Sequence, residues 1–210
     1  MALGMIPVLT VGWHGLPTVS ERDSDVLSLI DEEELTLFTF DGLKRRLGLH
    51  PETLSRILCR LEEEGIVKKQ PNGYTVTPKI AKLRLQEPRQ EEPHVPLLQT
   101  YLPSNMQVQQ LVTNLTGKWF GLLRWFGLAE DSHGITMKWV TEDGGMQINA
   151  NIQDSTLTID AKFLHDNNLN RALSASYQLM SYISSILSSR RHVASHVGLF
   201  GDSNVFLMPA

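Results

Sequence analysis

The chain has 210 residues, of which 41% are hydrophobic and 20% are charged, and its formal net charge at pH 7 is −4. This is the composition of a globular protein with room for two modest domains. A single cysteine, Cys59, excludes an internal disulfide framework and a Cys-rich zinc site. The low cysteine content fits a reducing cytosol, so we expect a cytoplasmic protein. No apolar run approaches the roughly 18 residues of a membrane span, so we expect no membrane insertion.

Residues 1–20 mix glycine, proline and β-forming residues, which favours an extended arm over a helix. The segment lacks the positively charged start of a secretory signal. Asp23, Ser24 and Asp25 then offer N-caps for a helix that extends to about Glu34.

Two further helices and a hairpin are predicted between residues 39 and 77. Thr39 caps the first helix, which extends from Phe40 to Leu47 and ends at Gly48. Pro51 opens the second helix at a position where its missing N–H costs nothing. The apolar residues of the second helix recur at i, i+3, i+4 and i+7 and form its buried stripe: Leu54, Ile57, Leu58 and Leu61. A strand at 66–70, a turn at 71–73 and a strand at 74–77 follow.

The opposite side of the second helix is predicted to face outward. It consists of Glu52, Arg56, Cys59 and Glu63, flanked by Thr53, Ser55 and Arg60. With the sequence GLHPETLSRILCRLEEEGIVKK and a glycine-containing hairpin, this region resembles the winged-helix domain of prokaryotic transcription regulators of the ArsR and MarR type. The resemblance covers roughly residues 24–85 and says nothing about the remaining half.

The resemblance implies that the second helix lies in the major groove of duplex DNA, with the hairpin wing near the backbone or the minor groove. The residues expected to contact DNA are Lys44, Arg45, His50, Thr53, Ser55, Arg56, Arg60, Lys68, Lys69 and Asn72. The acidic exit of the preceding helix, residues 31–34, should point away from the DNA backbone.

Local charge agrees with this interpretation. Residues 41–85 include ten basic and five acidic side chains, a balance of +5 inside a chain of net charge −4. A basic segment in an acidic protein is typical of a local phosphate-binding face. Winged helices also serve as protein-interaction modules, and the run from Lys44 to Arg46 is equally compatible with a solvated helix face.

A proline-rich connector at 86–103, with Pro88, Pro93, Pro96 and Pro103, sets the predicted domain boundary. The predicted organisation is an arm at 1–20, a winged-helix domain at 21–85, the linker at 86–103 and a second domain at 104–210.

The second domain is predicted as an α-β-β-β-α unit. A helix at 104–126 precedes three strands in which apolar and polar residues alternate, near residues 135–140, 146–153 and 157–163. Their short turns indicate an antiparallel meander with one wet face and one apolar face, which helices must cover. A last helix at about 167–189 supplies such a cover. The whole chain is therefore predicted to be α+β, with an N-terminal winged helix and a C-terminal two-layer domain.

Aromatic residues of the second domain suggest two alternatives. Trp119, Trp125 and Trp139 fit a core and a dimer seam, or they line a pocket for a planar apolar effector between the 104–126 helix and the meander. His192 and His196 have the i, i+4 spacing of metal ligands, but a third ligand is missing locally and ordinary surface histidines are the favoured interpretation.

No Gly-rich phosphate loop, G-x-S-x-G elbow or H-E-x-x-H motif occurs in the sequence. We therefore expect no enzyme, no cofactor and no metal site. The expected function is a transcription regulator that binds double-stranded DNA as a homodimer, with the second domain used for dimerisation or for sensing a small-molecule effector. The alternative is a non-regulatory winged-helix subunit of a transcription, replication or chromosome-organising assembly.

Overall fold

The computed structural model of the protein describes residues 21–77, 94–104, 106–132 and 134–197, with the side chains of 21–22 and 189–197 excluded. The described residues form five helices: α1 (Glu21–Glu32), α2 (Phe40–Leu47), α3 (Pro51–Glu63), α4 (Val108–Leu115) and α5 (Leu169–Val197). They also form eight strands: β1 (Leu37–Phe38), β2 (Val67–Gln70), β3 (Gly73–Val76), β4 (Val95–Tyr101), β5 (Leu123–Glu130), β6 (Ile135–Thr141), β7 (Met146–Gln153) and β8 (Thr156–Phe163). The mixed α+β class is confirmed.

All eight described strands belong to one antiparallel sheet with the order β2-β3-β1-β5-β6-β7-β8-β4. The short strand β1 joins the two halves, because Leu37 and Phe38 pair with β3 on one side and with β5 on the other. Gly127 permits the close approach of β1 to β5, since a Cβ atom at this position would lie 2.5 Å from the carbonyl oxygen of Leu37. The hairpin and the meander are therefore parts of a single sheet.

Local sequence signals explain the helices before the hairpin. The side chain of Thr39 accepts a hydrogen bond from the N–H of Gly42 at 3.1 Å, which caps α2. Gly48 ends α2 with a left-handed φ of 62°. Pro51 occupies the first turn of α3 as predicted. Both helices lie within a residue or two of their predicted limits.

The meander strands β6, β7 and β8 also form where the alternating pattern predicts them. Their apolar side chains face α4 and α5 and build one hydrophobic core, which includes Met137, Trp139, Ile148, Ile159 and Leu179. The helices α1, α2 and α3 form a second core on the other face of the sheet, which includes Phe126 and Val140. The prediction that helices cover the apolar face is confirmed, whereas the polar face, expected to be wet, is covered as well.

The predicted helix at 104–126 is wrong in its length. The helix ends at Leu115, and Gly117 and Gly121 follow with φ values of 75° and 54°, which only glycine adopts readily. Strand β5 then begins at Leu123, and its alternation sends Trp125 to one core and Phe126 to the other. The described part of the second half is therefore β-α-β-β-β-β-α rather than α-β-β-β-α.

The predicted connector needs a second correction. Residues 78–93 lie outside the described residues, as does the predicted arm at 1–20, but residues 95–101 form β4 instead of an extended linker. This strand pairs with β8 at the edge of the sheet, and its register shifts between Pro96 and Leu98. Proline is tolerated at this position because an edge strand has one side without ladder hydrogen bonds.

None of the described helices is long and apolar enough to span a bilayer. The longest of them, α5, instead buries Ala172, Ala175, Leu179 and Ile183 against the sheet. Leu169, at the start of the helix, is 47% exposed.

Phe126 tests whether the two halves behave as one cooperative unit. Its ring is fully buried in the helical core although it belongs to the meander sheet, so Phe126→Ala should lower the free energy of unfolding by about 3–5 kcal/mol. In urea titrations of this variant, the unfolding midpoint reported by far-ultraviolet circular dichroism and the one reported by tryptophan fluorescence should fall by the same amount. Tyr101→Ala, at a residue that is 79% exposed, is the control. A lower midpoint in only one of the two signals would contradict cooperative unfolding of the two halves.

Candidate nucleic-acid interface

Helix α3 buries one face and exposes the other. Its apolar stripe is at most 1% exposed and consists of Leu54, Ile57, Leu58 and Leu61. Ser55, Arg56 and Cys59 are exposed on the opposite side. His50 fixes the start of the helix, because its Nδ1 atom accepts a hydrogen bond from the N–H of Glu52 at 3.4 Å. The predicted outward face of α3 is therefore open to a partner along its length.

The structure divides the residues predicted to bind DNA into two groups. Those on α3, its cap and the hairpin are mostly exposed: His50, Ser55, Arg56, Arg60, Lys68, Lys69 and Asn72. Lys44, Arg45 and Thr53 are half-buried. The exposed group offers hydroxyl, amide and cationic side chains, which are the types that contact phosphates and base edges.

Carboxylates neutralise both arginines of α3. Arg56 forms an exposed ion pair with Glu52 at 2.6 Å, and Arg60 binds Asp23 of α1. The hydrogen bond to Asp23 raises the pKa of Arg60. The face of α3 is thus less basic than the sequence count suggests. An exposed pair such as Arg56–Glu52 contributes about 0.3–0.5 kcal/mol, so phosphate can replace the carboxylate at little cost.

The hairpin presents cations without such partners. Lys68 and Lys69 on β2 are exposed and form no ion pair with any side chain in the described part of the chain. The backbone N–H of Lys69 donates to the carboxylate of Glu62 at 3.1 Å, which ties the hairpin to the end of α3. The two lysines are therefore held beside α3, where they can attract a phosphate backbone.

Helix α2 contributes differently from the prediction. Lys44 pairs with Asp41 at 2.9 Å, and this hydrogen bond lowers the pKa of Asp41. A Cβ atom at Gly144 would lie 2.7 Å from the carbonyl oxygen of Arg45, so α2 packs closely on the β6–β7 turn. Arg46 points inward to Glu33, at 3.3 Å. The cations of α2 are therefore largely engaged with the protein itself.

A buried polar cluster, centred on Glu33 just after α1, holds the helices on the polar face of the sheet. The Glu33 carboxylate accepts hydrogen bonds from Lys138 on β6 at 2.7 Å and from Lys162 on β8 at 2.9 Å. Gln147 on the intervening strand β7 donates to the same carboxylate at 2.8 Å. Together with Arg46, these residues form the Glu33 cluster, and Glu33 itself is 2% exposed.

The cluster continues along the sheet. Gln147 donates to the side-chain oxygen of Asn149 at 2.9 Å, and Asn149 donates to Asp160 at 2.8 Å. His94, just before β4, places its Nδ1 atom 2.7 Å from Asp160. A chain of polar contacts therefore extends from α2 to the β4 edge of the sheet.

The burial of Glu33 was not predicted from its local sequence. Glu33 lies in an acidic run that we expected to point away from DNA, and its three partners on the sheet are more than 100 residues away along the chain. The strand register carries a signal for a buried carboxylate, because Lys138 pairs with Asn149 and Gln147 pairs with Lys162 on the same face of the sheet. Two lysines and two amides on the polar face of neighbouring strands need a carboxylate when that face is covered.

Burial by itself raises the pKa of Glu33. The charge and the hydrogen bond of Lys138, together with the hydrogen bonds from Gln147 and Lys162, lower it by more. The pKa of this carboxyl therefore lies well below its usual range, and Glu33 is ionised at neutral pH.

The three tryptophans do not surround a common cleft. Trp125 and Trp139 are buried neighbours on β5 and β6, with ring centroids 5.2 Å apart. Trp119 is 62% exposed, and the guanidinium of Arg124 lies 4.7 Å from its ring centroid. The expected pocket between a long helix and the meander does not form, because Trp125 belongs to the sheet itself.

The predicted histidine pair lies within the backbone of α5, but the side chains of His192 and His196 are outside the described residues. Elsewhere in the described parts of the chain, no three His, Cys, Asp or Glu side chains form a group that could hold a metal ion. No family model, no curated protein and no solved structure matches this chain.

Replacing Glu33 with the isosteric glutamine tests the cluster. Glu33→Gln removes the negative charge that the buried Lys138 and the half-buried Arg46 bind, so it should lower the free energy of unfolding at pH 7 by about 3–5 kcal/mol. The exposed Glu130→Gln is the matched control. Urea unfolding measures both changes, and a loss below about 1 kcal/mol for Glu33→Gln would contradict the role of the cluster.

The same variant should change the response to acid. Because the pKa of Glu33 is lower in the folded than in the unfolded chain, its stabilisation is complete above the unfolded value of about 4.3 and is lost as the pH falls towards the folded value. Unfolding free energies measured between neutral and acidic pH should therefore fall less steeply for Glu33→Gln than for the wild type. Equal slopes would contradict the lowered pKa.

Proposed function

We propose that the protein is a transcription regulator that binds duplex DNA as a homodimer, with α3 in the major groove and the β2–β3 hairpin beside it as a wing. The observation that supports this most is an open α3 face beside two exposed lysines on the adjacent strand, whose side chains form no ion pair within the described residues. The order α1, β1, α2, α3, β2, β3, with a tight turn at Gly48 between α2 and α3, fits a winged helix.

The geometry suggests separate roles for the exposed residues. Arg56 is in the middle of the outward face of α3, so it is placed to contact a base edge once Glu52 releases it. Lys68 and Lys69 stand on an edge strand, where they contact phosphates without reading sequence. Two copies supply the contact area that a specific site requires.

The alternative is an interaction subunit of a transcription, replication or chromosome-organising assembly. The acidic end of α3 favours it, since Glu62, Glu63 and Glu64 are all exposed. These carboxylates would repel a phosphate backbone but would suit a basic protein partner. Salt-dependent binding to duplex DNA separates the two functions.

The lysines should control affinity for all duplexes. A preferred site is first selected from random duplexes, and binding is then followed by fluorescence anisotropy at several salt concentrations. Lys68→Ala and Lys69→Ala should each weaken binding to every sequence and reduce the slope of log K against log salt by about 0.9. Lys118→Ala, an exposed lysine in the turn after α4, is the matched control and should change neither quantity.

Arg56 should instead control specificity. Arg56→Ala should weaken binding to the preferred site by about 1–3 kcal/mol and should change binding to unrelated duplexes much less. Unchanged duplex binding by the Arg56→Ala, Arg60→Ala double variant would exclude α3 as the DNA-contacting helix.

A further inference from the structure

One ion pair on α3 has both of its members exposed. The guanidinium of Arg56 donates from Nη2 to Oε1 of Glu52 at 2.6 Å, and the two side chains are 72% and 66% exposed. Arg60, the next arginine of α3, instead binds Asp23 of α1, whose side chain is only 4% exposed. The Arg56–Glu52 pair is therefore free to exchange its hydrogen bond for bonds to a ligand, whereas Asp23 holds Arg60 in place.

The pair lies in the N-terminal half of α3. Glu52 and Arg56 belong to the first two turns of the helix, and their spacing of four residues puts both side chains on the outward stripe. In helix-turn-helix proteins the N-terminal residues of the recognition helix contact the base edges. The hairpin is tied to the other end of α3, through Glu62. The Arg56–Glu52 pair is therefore placed where a recognition helix reads sequence.

The pair presents two hydrogen-bond donors beside an acceptor. A guanidinium offers a fork of N–H groups and no acceptor, and an ionised carboxylate offers acceptors only. Because the two groups are neighbours at 2.6 Å on one stripe, their order towards a ligand is donor, donor, acceptor.

Base pairs differ in the order of such groups along the major groove. A G·C pair presents N7 and O6 of guanine, which are both acceptors, and then the N4 amino group of cytosine, which is a donor. An A·T pair presents an acceptor, a donor and an acceptor. Of these edges, only that of G·C complements two donors followed by an acceptor. Arg56 would bind guanine, and Glu52 would bind the cytosine of the same pair.

Glu52 needs a donor as soon as Arg56 turns to a base. A carboxylate without a counter-charge in the groove is repelled by the phosphates. The cytosine amino group replaces the hydrogen bond that Arg56 gave up, and it lies next to the O6 atom that Arg56 now contacts. A base that presents a carbonyl at that place leaves two acceptors facing each other, which adds a penalty against the wrong sequence.

We propose that the Arg56–Glu52 pair reads one G·C base pair in each half-site, with Arg56 on N7 and O6 of guanine and Glu52 on N4 of the paired cytosine. The inference rests on the proposed function, because it needs α3 in the major groove. It deepens that function by making Glu52 a specificity-determining residue and by naming the base pair it selects.

Base analogues test the contact to guanine. Each guanine of the selected duplex is replaced in turn by 7-deazaguanine, which lacks the N7 acceptor, and by inosine, which lacks only the minor-groove amino group. At one G·C pair of each half-site, 7-deazaguanine should weaken wild-type binding in anisotropy titrations and inosine should not. The Arg56→Ala variant should no longer distinguish 7-deazaguanine from guanine at that pair.

A G·T mismatch at the same pair tests Glu52. It keeps both guanine acceptors but replaces the cytosine amino group with a carbonyl. Wild-type affinity should fall about 5- to 150-fold. Because an amide both donates and accepts, Glu52→Gln should bind the G·C and G·T duplexes with similar affinity. Glu63→Gln, at an exposed glutamate of the same helix, is the matched control and should discriminate as the wild type does.

The outcomes separate this inference from the proposed function. A wild type that binds no duplex would overturn both. Duplex binding that depends on Arg56 but is insensitive to 7-deazaguanine at every position would overturn the guanine contact and leave the function standing. A Glu52→Gln variant that discriminates G·C from G·T as strongly as the wild type would overturn the role of Glu52 in the same way.

Discussion

One buried carboxylate determines how the two layers of helices can sit on this sheet. The polar face of the meander presents Lys138 and Lys162, and neither could be covered by helices without a nearby negative charge. Glu33 provides that charge, and Arg46 and Gln147 also donate hydrogen bonds to its carboxylate. Because the carboxylate follows α1 directly and α2 supplies Arg46, the position of both helices is fixed relative to the strands. The orientation of α3, which packs on α1 and α2, follows from that position.

The continuity of the sheet extends this constraint to the helices on both of its faces. Strand β1 joins the hairpin to β5, and the same sheet supports α5 on its opposite face. Helices α3 and α5 are therefore fixed relative to each other by one packed body.

The sequence predicted the elements whose signals are local. Thr39, Gly48 and Pro51 mark helix limits by capping and by backbone preference, and the alternation near residues 135–163 marks the meander strands. The prediction failed where the spacing of apolar residues fits both a helix and a strand. Trp119, Leu122 and Phe126 recur at helical intervals, although Phe126 lies in β5. It also failed for Glu33 and for β4, whose partners are distant in the chain. Of the candidate site, the exposed residues of α3 and the hairpin were predicted, whereas the ion pairs of Arg56 with Glu52 and of Arg60 with Asp23 were not.

The most direct test of the central claim is amide chemical-shift mapping of the intact protein with a selected duplex of about two helical turns, roughly 20 base pairs. If α3 and the hairpin bind DNA, the largest shifts will occur between residues 50 and 72 and will decrease as salt is added. Shifts confined to α5, or an unchanged spectrum at low salt, would contradict duplex binding through α3.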